Sequence, residues 1–150
     1  MTTMEPEQAY RAMMTFLWGL WDRTKQPGEL GIFCDMCSYI PGVGTADPAM
    51  WYDWLAVVKT LQTGLPVSDA ESATLTPAAL KPLDSEKGYI AMLEFIREYW
   101  ERVGRPAEIG DLLGQMRYTP GAGTAEPEMW KRWLAAMEEV RANPSSTSNA

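Results

Sequence analysis

Pro41-Gly42-Val43-Gly44-Thr45-Ala46-Asp47-Pro48-Ala49-Met50-Trp51-Tyr52-Asp53-Trp54-Leu55-Ala56 is written a second time, as Pro120-Gly121-Ala122-Gly123-Thr124-Ala125-Glu126-Pro127-Glu128-Met129-Trp130-Lys131-Arg132-Trp133-Leu134-Ala135, at an offset of 79 residues. Carried outward without a gap, that offset pairs residues 7–58 with residues 86–137, and 22 of the 52 pairs are identical. Self-similarity on this scale marks a tandem duplication, so each local reading can be tested against its twin.

Within the stretch, Pro-Gly-x-Gly reads as a chain reversal, because its glycines tolerate positive φ. Asp47-Pro48 and Glu126-Pro127 then place an acid beside a proline suited to the first helical position. Asp47 is expected to cap that helix. Glu126 is the poorer cap, and Thr124 is expected to act in its place. The helix should bury Met50, Trp51, Trp54, Leu55, Val58 and Leu61, and in its twin Met129, Trp130, Trp133, Leu134, Met137 and Val140.

Upstream, Tyr10, Met13, Met14, Leu17, Leu20 and Trp21 fall on one stripe of a 3.6-residue period, repeated by Tyr89, Met92, Leu93, Ile96, Trp100 and Val103. Both runs stop near a proline, Pro27 and Pro106, which disfavours helical geometry before it. A shorter helix follows, with Leu30, Phe33, Cys34 and Cys37 against Ile109, Leu112, Leu113 and Met116. No segment alternates with the period of two that a half-buried strand needs.

The expected fold class is therefore all-α: two tandem three-helix repeats packed as one pseudo-twofold helical domain, with the tryptophan pairs at its centre. Residues 1–63 form the first repeat, 64–85 a linker with one short helical turn at 77–80, 86–141 the second repeat and 142–150 a disordered tail. Copies of about 50 residues are marginal alone, so one compact body is expected.

Composition narrows the function. The 150 residues carry a net charge of −7 and include seven tryptophans and ten methionines. Nucleic-acid binding rests on lysine and arginine clusters, which are absent, so no nucleic-acid partner is expected. No apolar run follows Met1-Thr2-Thr3-Met4-Glu5-Pro6 and none approaches a membrane span, so neither signal peptide nor membrane contact is expected and the location is cytoplasmic. The chain has no histidine, which removes the commonest general base and metal ligand. Cys34-Asp35-Met36-Cys37 has redox or zinc spacing, but its twin positions are Leu113 and Met116 on a buried stripe. The reading is core cysteine. The glycine-rich loop matches no phosphate-binding spacing, and Asp47 would oppose an anion there. No enzyme activity, cofactor or metal is expected.

Residues that differ between twins carry what each copy does alone. Trp18, Gly19 and Leu20 stand opposite Arg97, Glu98 and Tyr99; Ile32 stands opposite Asp111; Tyr52-Asp53 stands opposite Lys131-Arg132. Copy one is the less charged or more aromatic at each place. These residues are either the seam against copy two or an exposed face on which another protein docks. A second copy of the chain is the alternative occupant, which would make the protein a homodimeric adaptor.

In copy two, Tyr89-x-Ala91-Met92-x-x-Phe95-x-x-x-Tyr99-Trp100-Glu101-Arg102, then Glu108-Ile109-Gly110-Asp111-Leu112-Leu113-Gly114-x-Met116 and Gly121-x-x-Thr124-Ala125-Glu126-Pro127-x-x-Trp130, resemble small bacterial proteins found with secreted or contact-delivered toxins and taken to be their immunity proteins. Copy one repeats the pattern more loosely. The resemblance implies a cytoplasmic inhibitor that binds one cognate toxin and blocks it. A small acidic protein suits occlusion of a basic active-site cleft. Trp18, Asp35, Asp47, Tyr52 and Asp53 of copy one are the expected partner-binding residues.

Overall fold

The computed structural model describes residues 3–24, 28–40 and 44–143. Among these the chain is mainly helical, with seven α-helices joined by two-residue strands. Strand β1 (Thr3–Met4) leads into helix α1 (Pro6–Thr24), α2 (Glu29–Cys37), the ribbon β2 (Tyr39–Ile40) and β3 (Gly44–Thr45), and α3 (Pro48–Thr63). A short helix α4 (Asp69–Ser72), a 3₁₀ turn (Pro77–Ala79) and β4 (Leu83–Asp84) follow. The chain ends in α5 (Ser85–Arg102), α6 (Ala107–Gln115), the ribbon β5 (Tyr118–Thr119) and β6 (Gly123–Thr124), and α7 (Pro127–Ala142).

Each long helix begins where local chemistry starts it. Pro48 and Pro127 occupy first-turn positions, and Asp47 Oδ1 accepts the Ala49 amide at 3.1 Å, the capping role its sequence promised. Asp84 Oδ1 accepts the Lys87 amide at 2.8 Å and so caps α5. Thr124 does not cap α7. Its hydroxyl donates to the Glu126 carbonyl at 2.6 Å, and no side chain takes the cap of that helix.

The reversals before α3 and α7 are narrow antiparallel ribbons, in which Tyr39 pairs with Thr45 and Tyr118 with Thr124. A third ribbon pairs Thr3 with Asp84 and Met4 with Leu83. Residues 41–43 of the repeated stretch lie outside the described residues. In the second copy Gly121 and Gly123 hold φ of 85° and 87°, which the glycines there permit.

The cores of the two copies are built alike. Trp54 Nε1 donates to the Pro6 carbonyl at 3.0 Å and Trp133 Nε1 to that of Ser85 at 2.9 Å, which lets each large indole be fully buried with its one donor satisfied. Tyr10 Oη donates to the Cys37 carbonyl at 2.7 Å, and Tyr89 Oη to the Met116 carbonyl at 2.8 Å. Tyr39 donates to the Glu7 carboxylate, and Tyr118 to Glu86 at 2.6 Å. All three pairs of bonds are related by the 79-residue offset.

Between the copies, α1 packs along α7 and α3 along α5. Phe16 lies edge-on to Tyr89 and Trp133, with ring centres 6.3 and 6.2 Å apart, and Phe95 lies edge-on to Tyr10 and Trp54, at 6.1 and 5.8 Å. Glu108 of α6 reaches to the start of α2 and accepts the Glu29 and Leu30 amides at 3.0 and 3.1 Å.

Four expectations are corrected. Leu61 and Leu134 are exposed and Val57 and Ala136 are buried instead, because α3 and α7 each turn a neighbouring stripe toward a helix of the other copy. Val103 is exposed beyond the end of α5. The stretch 64–85 is packed as well as ordered: Leu75, Leu80 and Leu83 join the core, and Gln62 exchanges two hydrogen bonds with the Lys81 backbone. Ala142 lies within α7, and the buried Arg11 donates to the Asn143 carbonyl at 3.0 Å; residues 144–150, the rest of the expected tail, lie outside the described residues. No helix is long and apolar enough to cross a membrane among the described residues.

Candidate partner-binding face

Trp18 and Trp21 are three residues apart on α1, so they share a face of that helix. Their rings meet edge-on at 5.6 Å and 86° and form an aromatic corner. Helix α2 runs alongside because Gly31 leaves room: a Cβ there would lie 2.9 Å from the Trp21 indole nitrogen. Gly28, Gly31, Ile32 and Asp35 complete a hollow of about 300 Å³ with the two tryptophans. Ile32 is 52% exposed at its rim. Among the described residues the buried Trp18 Nε1 has no hydrogen-bond partner, a state that costs about 1–3 kcal/mol.

In copy two the equivalent positions carry charged side chains. Arg97 stands where Trp18 does and pairs with Glu94 at 2.6 Å and Glu101 at 2.9 Å. The Trp100 indole, twin of Trp21, donates to the Pro106 carbonyl at 3.0 Å, and the Arg105 guanidinium lies 5.5 Å from its ring centre. Asp111 replaces Ile32 and Gly114 replaces Asp35. Gly110 keeps the role of Gly31, since a Cβ there would lie 3.1 Å from the Trp100 nitrogen.

The five expected partner-binding residues separate into two groups. Trp18 and Asp35 line the one hollow. Asp47, Tyr52 and Asp53 belong to the start of α3, where two of them have work inside the fold. Asp47 caps the helix, and Asp53 Oδ2 pairs with Arg102 of α5 at 3.2 Å, across the seam between copies. Burial raises the Asp53 carboxyl above its ordinary range, and the Asp69 and Asp47 carboxylates add to this while Arg102 opposes it. Glu98 is raised by burial and by Glu94, with Asp53 contributing. Tyr52 stays 37% exposed. The difference between twins at Ile32 points to the hollow, whereas Trp21, Gly28 and Gly31 give no such signal in the sequence, because they resemble ordinary stripe and turn residues.

Two other places bear on chemistry. A second hollow, of about 360 Å³, lies on copy two between Ile90, Leu93, Leu113, Tyr118 and Pro120, with Arg97 and Arg117 at its edge. Cys34 and Cys37 are free, fully buried thiols on α2, and burial pushes Cys34 up to about 12 and Cys37 higher still. They are core side chains, as their twins Leu113 and Met116 suggest. No three histidine, cysteine or acidic side chains gather as metal ligands among the described residues. Comparison with protein-family models, with curated proteins and with solved structures finds no match to this chain.

Proposed function

We propose that the protein is a non-catalytic inhibitor, an immunity protein that binds a cognate bacterial toxin in the cytoplasm and neutralises it by covering its active site. The observation that carries this reading is the contrast between twin surfaces. Copy one exposes Ile32 beside an aromatic corner with an acid at its edge, whereas copy two carries exposed ion pairs of Arg97 with Glu94 and Glu101 at the equivalent place. Aromatic side chains in partly desolvated pockets are the usual anchors of protein interfaces. A net charge of −7 favours fast association with a basic partner.

The scaffold that presents this face is, in our reading, a pair of three-helix repeats about a pseudo-twofold axis. Its support is the exchange of equivalent contacts: Phe16 enters the Tyr89–Trp133 corner as Phe95 enters that of Tyr10 and Trp54. Exposed Ile32 beside a hollow on the same face also favours a second reading, a homodimer in which each copy's Ile32 fills its partner's hollow. Sedimentation of a strict monomer at micromolar concentration discards that reading.

The test of the inhibitor reading is capture of the product of the neighbouring open reading frame by the purified protein, followed by co-expression of the two. Capture with rescue of growth supports it. Capture of nothing, or a neighbour harmless without this protein, overturns it.

A further inference from the structure

Helices α5 and α6 of copy two leave apolar side chains partly uncovered where their twins in copy one are closed over. Met14 and Cys34 are 2% and 0% exposed, but Leu93 and Leu113, at the same places of the repeat, are only half-buried. Ile90 is half-buried too, where copy one has the buried Arg11. These three, with the Tyr118 ring and Pro120, wall the hollow of about 360 Å³ on copy two. Small-molecule sites usually enclose about 300–1,000 Å³ between apolar walls with a few polar groups. The Tyr118 hydroxyl donates to Glu86 at 2.6 Å and the ring stacks on Trp130, with centres 5.6 Å apart, so that wall is held in place. Arg97 at the edge pairs with Glu94 and Glu101 at 2.6 and 2.9 Å. Arg117, exposed and twin to Ser38, pairs with no carboxylate among the described residues. The lining thus sets two guanidinium groups against the one carboxylate of Glu94, in a chain whose net charge is −7.

We infer that this hollow is a binding site for a small amphipathic carboxylate, whose hydrocarbon part lies against Leu93 and Leu113 and whose carboxylate meets the Arg117 guanidinium. The site is independent of the toxin-docking reading of copy one. Covering the half-buried leucines removes apolar surface from water, which favours any hydrocarbon of the right size. The guanidinium decides the charge of the ligand, because its planar fork offers a carboxylate two parallel N–H donors. With the Tyr118 hydroxyl and Arg97 already engaged inside the fold, Arg117 is the donor left for the ligand. A cationic ligand would meet two guanidinium groups, and a neutral one would gain the apolar contacts alone.

The site is tested with the full-length protein and two probes of equal length, octanoate and its neutral amide, followed by the methyl resonances of Leu93 and Leu113 in NMR. Octanoate at millimolar concentration should shift both saturably and leave the indole resonances of Trp18 and Trp21 in place. Octanamide should bind at least about fivefold more weakly, the size of one partly exposed ion pair. Arg117→Gln, an exposed change whose folding is checked by circular dichroism, should weaken octanoate by the same factor and leave octanamide unchanged. Absence of a saturable shift, equal affinity for the two probes, or undiminished octanoate binding by Arg117→Gln overturns the inference. Binding only by a variant that lacks residues 144–150 would assign the hollow to the chain's own end and overturn it as well.

Discussion

Phe95 meets Trp54 edge-on, with ring centres 5.8 Å apart and planes at 89°, so a side chain of the second repeat closes the core of the first. Phe16 does the same at Trp133, at 6.2 Å and 86°. Neither repeat completes its own core. Phe16→Ala and Phe95→Ala should each cost about 3–5 kcal/mol, the usual range for emptying a buried phenylalanine site. Chemical denaturation followed by tryptophan fluorescence measures this, and a single transition should be kept in the wild-type protein. Two separated transitions, or a cost below about 1 kcal/mol, would show the copies to be independent.

Tyr10 and Tyr89 tie α1 and α5 to the carbonyls that end α2 and α6, at 2.7 and 2.8 Å. Removing either hydroxyl leaves a buried carbonyl unpaired. Tyr10→Phe and Tyr89→Phe should therefore destabilise by about 1–3 kcal/mol each, with no change in helix content. Thermal melts by circular dichroism read both quantities.

Among the described residues one carboxylate links α6 to the start of α2. Glu108 accepts two amides at the start of α2, while no side chain caps the start of α6. Glu108→Ala should lower stability by about 1–2 kcal/mol, the ordinary size of a lost helix cap, and its twin Glu29→Ala by clearly less. Equal effects in urea unfolding would contradict the asymmetry.

The buried thiols and phenols set the alkaline limit. Cys34 is pushed up to about 12 by burial, Cys37, Tyr10 and Tyr89 are raised further, and Tyr118 is raised to about 12 chiefly by its hydrogen bond to Glu86. A group with a raised folded-state pKa gives stability that is whole below its unfolded value and is lost as pH rises above it. Stability should hold up to about pH 8 and fall between roughly pH 9 and pH 12. A thiol reagent at pH 8 should react at the rate of unfolding, so added denaturant should speed it; fast labelling of native protein would contradict the burial.

How much of this was legible in the sequence depends on distance along the chain. The duplication, the helix starts at Pro48 and Pro127 and the burial of Trp54 and Trp133 follow from periodicity and local capping. Leu61 and Leu134 were misplaced because an apolar stripe says that a helix packs without saying against which neighbour. The neighbours here come from the other copy. Glu108 at α2 left no local signal, since its partners are 78 and 79 residues away. Asp53 showed its charge swap with Arg132 plainly, but a swapped charge reads the same at a seam as at a docking face. Only its 3.2 Å pairing with Arg102 tells them apart.

The face of copy one is best tested by giving it the residues of copy two. A protein carrying Trp18→Arg, Ile32→Asp and Asp35→Gly takes side chains that the twin repeat already accommodates, so it should melt within a few degrees of wild type. Co-expressed with the toxin of the neighbouring reading frame, it should bind at least a hundredfold more weakly and fail to rescue growth. Full rescue by this folded variant would place the binding surface elsewhere and contradict the account.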